Sequence, residues 1–357
     1  MRKSYIDNLR WMTVLLVIFY HVFYLFNSAG VYSNIKAKGI PQLDVILTFV
    51  YPWFMVLMFV LAGMSARYSL EKRSAKEFLK ERAVKLLIPS IGATLCFGWI
   101  SGYVTATQNN LFKDVAIPGI VKYLIYSSMG MGPLWFAHEL FLVSTVLLII
   151  LAIDKKDKLW DLGGRCKIFT ILLLVFLVWG SSFLLNMPVI TTYRNGIYLV
   201  TFLLGYYVFS HEEIQELLKR YYLPFILVGI VMGVSYCIFY YGKNYTSDEC
   251  LQSFFTNIYT WIMVLGLIGC AQVFFVKENK FTKFMKSRNF YYYIVHYPLL
   301  VLSAYIAITF FRLPTVINYI ICLMIGCLLT VGLTEIVIRI PVLRFWAFGI
   351  RKKKNES

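Results

Sequence analysis

Residues 4–21 read SYIDNLRWMTVLLVIFYH, and this stretch decides the fold. Between Arg10 and His21 every residue is apolar or aromatic, apart from Thr13. The run extends over 10–28, close to the roughly 20 residues that a bilayer span needs. A helix that is apolar on all sides must be buried or in lipid. Its two polar ends are therefore the informative residues. Arg10 and His21 lie eleven residues apart, so at about 100° per residue they return to nearly the same face, roughly 16 Å along the axis.

The rest of the chain matches this opening. Of its 357 residues, 59% are apolar and only 15% charged, and mean hydropathy is +0.69. Soluble domains run at about 45–50% and 25%. This excludes a soluble globule, a disordered chain, a coiled coil and a disulfide scaffold. The expected class is an all-α polytopic membrane protein. Net charge is +17, but the basic residues fall in short runs between apolar segments. They read as topology signals, and no nucleic-acid partner is expected. The seven cysteines are scattered, with no CxxC pair and no metal-ligand spacing, so no metal is expected.

Ten apolar segments are predicted to span: 10–28, 45–66, 86–106, 134–153, 168–186, 193–209, 222–241, 254–276, 289–310 and 316–338. Residues 117–132 are too short and read as interfacial. With the N-terminus in the cytoplasm, inner segments carry 28 of the 35 Lys and Arg and outer segments 7. That fourfold bias obeys the positive-inside rule and predicts cytoplasmic termini in a cell membrane. The opening Met-Arg-Lys run lacks a small-residue cleavage site and reads as a retained helix. No connection is long enough for a separate soluble domain, so 1–357 is read as one integral-membrane domain.

Polar residues at membrane depth are costly and mark function. Arg10, with Asp7 one turn before it, is a permanent cation suited to a phosphate-bearing ligand at the inner face. His21, at depth, can act as a base or nucleophile near neutral pH. Arg82 and Lys85, in the basic 67–85 connection, offer further phosphate contacts. His138 and Glu139 sit near the outer end of the fourth span, where a carboxylate could orient a histidine. His296 and Glu335 lie at similar depth and are expected to form a supporting pair near Arg339. His211, beside Glu212 and Glu213, reads as part of a solvated face.

Five motifs in order resemble the acyltransferase 3 family: SYIDNLRWMTVLLVIFYH; LAG (61–63) with FLKERAVKLLIP (78–89); GPLWF (132–136); NFYYYIVHYPL (289–299); and TEIVIRIPVLRFWAFG (334–349). The last is similar to the tail of the branch that includes glucan biosynthesis protein C. The resemblance implies a membrane O-acyltransferase of about ten helices. It would move an acetyl or succinyl group from cytoplasmic acyl-CoA to a hydroxyl of a surface or lipid-linked carbohydrate. His21 would match the family's essential histidine and Arg10 its partner. Arg82 would match the donor loop, and Trp135 lies in the fourth-helix signature. Glu139 is kept as a catalytic candidate, with His21 as base or transient acyl carrier. A transporter or flippase of a lipid-linked glycan predicts the same topology and remains the alternative.

Overall fold

In the computed structural model, described over residues 3–113, 115–187, 193–311 and 313–351, apolar sequence becomes helix almost throughout. In chain order the helices are α1 (Ser4–Leu25), α2 (Asp44–Leu70), α3 (Ala75–Gln108), α4 (Gly119–Met129), α5 (Trp135–Ile153), α6 (Lys158–Gly164), α7 (Ile168–Ser181) and α8 (Asn195–Tyr207). They continue as α9 (Glu212–Arg220), α10 (Tyr222–Phe239), α11 (Phe254–Phe274), α12 (Lys280–Ile306), α13 (Thr315–Arg339) and α14 (Pro341–Phe348). No strand occurs among the described residues. Among the described residues eight helices are long and apolar enough to cross a bilayer: α1, α2, α3, α5, α10, α11, α12 and α13. The fold is that of a polytopic membrane protein.

The fifth and sixth predicted spans form shorter helices. α7 has 14 residues and α8 has 13, so each rises only about 20 Å against a hydrocarbon core of about 30 Å. The apolar sequence after Ser181 turns instead of continuing. Beyond the helix end at Ser181, Leu185 adopts φ +54°, and Asn186 bridges to Arg194.

Three stretches widen to π-helical turns: Ala83–Leu87 and Thr94–Gly98 within α3, and Ala307–Phe311 after α12. The first has a covalent cause. Pro89 has no N–H for the carbonyl of Lys85, and the Ile88 N–H reaches five residues back to Ala83.

The chain divides into two compact units. The first comprises residues up to Thr13, Val45–Lys80 and Glu139–Ser287. Here α2 crosses α8 with backbones in touch. A Cβ on Gly63 would meet the Phe202 carbonyl oxygen at 1.9 Å, and one on Gly205 would meet that of Val60 at 2.2 Å. Small residues permit this approach where lipid supplies no hydrophobic drive for association. Buried polar atoms are paired across helices: Trp53 Nε1 donates to Tyr259 Oη at 3.1 Å, and Trp261 Nε1 to the Ile171 carbonyl at 2.8 Å.

At one end of this unit the indole of Trp160 is clamped. The Arg67 guanidinium lies 3.6 Å from its centroid, and the His211 ring stacks at the same distance, tilted by 26°. Arg67 also donates to Asp157 Oδ2 at 2.7 Å. His211 is thus half-buried in a stack and does not lie on a solvated face, because an aromatic partner 51 residues away covers it.

The second unit comprises Val14–Asp44, Glu81–His138 and the chain from Arg288 onward. The loop after α1 is pinned along its length. Tyr24 Oη donates to the Tyr32 carbonyl at 2.6 Å, and Asn34 Nδ2 to Thr105 Oγ1 at 2.6 Å. The Ile40 N–H reaches Tyr319 Oη at 3.3 Å, which itself donates to the Phe26 carbonyl at 3.1 Å.

Candidate active site

The unbroken α1 carries both Arg10 and His21, each described within its own unit. In the first unit, α2 positions Arg10. Its Nη2 donates to Ser65 Oγ at 2.5 Å and lies 3.4 Å from the Leu61 carbonyl. Nη1 lies 3.3 Å from Asp7 Oδ1. The expected Asp7 contact is present, and the LAG segment adds Leu61 to the cradle. Ser65 was not expected; one turn beyond Leu61, it faces the same side of α2.

In the second unit, His21 meets His296. His296 is fully buried, and its Nε2 lies 3.3 Å from Nδ1 of His21. His296 Nδ1 lies 2.7 Å from the Tyr293 carbonyl. A carbonyl only accepts, so Nδ1 of the neutral His296 ring carries the proton and Nε2 is an acceptor. His21 Nδ1 therefore faces two acceptors, His296 Nε2 and the Val17 carbonyl at 2.7 Å. The network assigns the proton to His21 Nδ1 and leaves the lone pair on its Nε2.

Aromatic rings wall this pair. Tyr297 lies 5.0 Å from the His21 ring, Tyr20 5.3 Å and Tyr24 5.9 Å. GPLWF closes another side. The Pro133 carbonyl accepts from Tyr293 Oη, and Phe136 packs on Tyr293 with centroids 5.8 Å apart. Gly132, at φ +50°, lets Tyr297 pass, since a Cβ there would sit 2.6 Å from its Cδ1. Trp135 is half-buried beside Phe136. Tyr293 and Tyr297 were missed as site residues. Their spacing of four within NFYYYIVHYPL puts them on one helix face beside His296, which is the available signal.

The expected pairing of His296 with Glu335 is corrected. Glu335 Oε1 instead accepts from Arg288 Nε at 2.8 Å, and Arg339 is exposed. The cation beside Glu335 thus comes from the first turns of α12, while His296, two turns further along, turns to α1. Lys85 Nζ pairs with Glu81 Oε1 in the widened turn of α3, and Arg82 is half-buried just before that turn. His138 is half-buried at the edge of the second unit.

Glu139 belongs to the first unit. It is 1% exposed, and its Oε1 has no hydrogen-bond partner among the described residues. A buried carboxyl oxygen without a partner among the described residues is costly. Among the described residues no group of three or more His, Cys, Asp or Glu could hold a metal ion.

Apolar helices long enough to cross a bilayer, with half-buried His21 against fully buried His296 among them, define a polytopic membrane protein. A family model settles the class: the acyltransferase domain (Acyl_transf_3) matches residues 3–335, and the chain belongs to this family of acyltransferases. No curated protein and no solved structure matches the chain. The family match stops short of the last part of the tail motif, residues 336–349.

Proposed function

We propose that this acyltransferase moves an acetyl or succinyl group from acyl-CoA to a hydroxyl of a surface or lipid-linked carbohydrate, with His21 as general base. The single observation that carries this reading is the contact geometry of the histidine pair, from which the tautomer follows. His21 Nε2 holds a lone pair, while Nδ1–H is anchored by Val17 and His296. A base oriented in this way can take the acceptor's proton as the hydroxyl oxygen attacks the thioester carbonyl. The thioester C–S bond then breaks, and the CoA sulfur leaves with the proton. The imidazolium formed in between is stabilised by its charge-assisted bond to His296.

Arg10 in the first unit, and separately Arg82 and Lys85 in the second, are the candidate contacts for the donor's phosphates, for which Arg10's fixed guanidinium fork is suited. On the positive-inside reading, both termini and these cations face the cytoplasm, where acyl-CoA is found. The pantetheine arm then runs along α1 toward His21. Glu139 is assigned to the acceptor side, as a buried carboxylate able to accept a sugar hydroxyl. Acetyl is the preferred acyl group, and the tail motif favours succinyl as the second.

Incubation of the purified protein with labelled acyl-CoA and envelope glycans tests the reading. Label on the glycan with one free CoA released per transfer is the expected result. Movement of unlabelled glycan across a vesicle, with acyl-CoA intact, would make the protein a carrier and overturn it.

A further inference from the structure

Asn34 lies in the loop between α1 and α2 and has no part in the chemistry proposed above, yet its side chain meets the wall of the histidine pair. All the residues concerned belong to the second unit. Asn34 Oδ1 accepts from Tyr297 Oη, and Asn34 Nδ2 donates to Thr105 Oγ1 at 2.6 Å. Thr105 Oγ1 donates in turn to the Ser101 carbonyl at 2.9 Å. Asn34, Tyr297 and Thr105 are all buried, where hydrogen bonds are stronger than in water and an unmade one is costly.

The last member of this chain fixes the direction of every bond in it. A backbone carbonyl only accepts, so the Thr105 hydroxyl gives its one proton to Ser101. Towards Asn34 it can only accept, which turns Nδ2 to Thr105 and Oδ1 to Tyr297. Oδ1 has no proton to give, so Tyr297 Oη donates. The one phenolic proton is thereby committed to Asn34, and Tyr297 is not a proton donor to substrate. What Tyr297 offers His21 is its ring, with centroids 5.0 Å apart and planes at 71°, the edge-to-face arrangement that aromatic rings favour. The ring is held at both ends, by the α12 backbone and by Asn34. Gly132 packs against it so closely that a Cβ there would come within 2.6 Å of Cδ1. The backbone beside Asn34 is fixed as well, because Ser33 Oγ donates to the Leu25 carbonyl at 2.9 Å and accepts from the Ile35 N–H at 3.1 Å.

We infer that Asn34 is a positioning residue, which locks the ring of Tyr297 and through that ring holds the His21 imidazole in the orientation its base role requires. Val17 and His296 engage one nitrogen of the imidazole, and the locked phenol ring limits its tilt about that anchor. A reacting group held by such outer partners keeps the geometry on which rate depends, and a small misplacement costs turnover more than binding. The base role rests on the acyltransfer reading; the lock on the ring does not.

The test is a double-mutant cycle on the full-length protein in nanodiscs, with turnover of labelled acyl-CoA on envelope glycans as one readout. Asn34→Leu and Tyr297→Phe break the same bond from its two ends. Each is expected to lower kcat roughly tenfold, with the KM for acyl-CoA within about twofold of wild type. The double variant should lose no more than Tyr297→Phe alone, because residues that act through one contact do not multiply their effects. Thr105→Val, an isosteric change that removes the acceptor for Asn34 Nδ2, should show the same loss if Asn34→Leu does not fold, and Thr105→Ser should recover it. The second readout needs no substrate. The chain has four histidines, and with ring-labelled histidine the His21 signal is the one missing from His21→Ala. It should be single in the wild type and broadened or split in Tyr297→Phe. Losses that multiply in the double variant would overturn the inference. So would a loss in Tyr297→Phe with full activity in both Asn34→Leu and Thr105→Val, which would make the phenol a direct participant. An unchanged His21 signal in Tyr297→Phe would overturn the lock itself. A wild type that orders His21 in this way but transfers no label refutes the acyltransfer reading alone.

Discussion

His296 Nε2 stands 3.3 Å from Nδ1 of His21, and together with the Val17 carbonyl at 2.7 Å it engages that nitrogen, which leaves Nε2 for the base role proposed above. The residues are 275 positions apart and meet because α1 and α12 each turn a histidine to the same point. Without His296, the imidazolium at His21 would lose a charge-assisted partner worth about 1.5–3 kcal/mol. His296→Leu is therefore expected to lower kcat roughly 10- to 100-fold, with little change in the KM for acyl-CoA. His296→Gln, whose carbonyl can still accept, should recover part of the loss. The pH profile gives the discriminating readout: the acidic limb should move in His296→Leu and not in a merely destabilised control.

Arg10 is held by two helices' worth of acceptors: Asp7 on its own helix, and Ser65 and Leu61 on α2. A lysine cannot reproduce that fork. Arg10→Lys and Arg10→Ala should both raise the KM for acyl-CoA, by roughly 10-fold or more for a lost charge-assisted contact. Steady-state kinetics at varied donor concentration checks this. A fall in kcat alone, with unchanged KM, would remove Arg10 from donor binding.

The crossing of α2 and α8 leaves no room at Gly63. A valine there would drive its Cβ into the Phe202 carbonyl, and backbone cannot yield as a flexible side chain can. Gly63→Val is expected to lose folded protein in detergent, seen as aggregation by size-exclusion chromatography. Gly180, with open space around its Cβ position, serves as the control, and Gly180→Ala should behave as wild type.

His211 makes stability depend on pH. Burial lowers its pKa below the ordinary 6.5, and the facing Arg67 cation lowers it further. Bonds to the Trp160 and Tyr207 carbonyls and the nearby Glu213 oppose this. The folded state therefore favours the neutral ring. The stack contributes its full stability above about pH 6.5, and loses it as pH falls below that value toward the folded-state pKa. Thermal unfolding in detergent should show a declining midpoint from pH 7 to pH 5. His211→Phe, which stacks but does not titrate, should flatten that decline.

Much of this was legible in the sequence. Continuous apolar runs gave eight long helices, and the eleven-residue spacing put Arg10 and His21 on one continuous α1. Tertiary partners were not legible. Depth alone suggested His296 with Glu335, yet depth does not fix rotation about the helix axis, and Arg288 answers Glu335. The stack over Trp160 was hidden because charged neighbours in sequence imply water only when no distant ring covers them. The short α7 was hidden because hydropathy continues through Phe183–Leu185 while the backbone turns.

The most direct test is acyl transfer by His21→Ala at matched expression and matched melting temperature. Loss of a positioned general base predicts a fall of about 10²- to 10⁴-fold in transfer of labelled acyl groups. Transfer within a few-fold of wild type would contradict the central role given to His21.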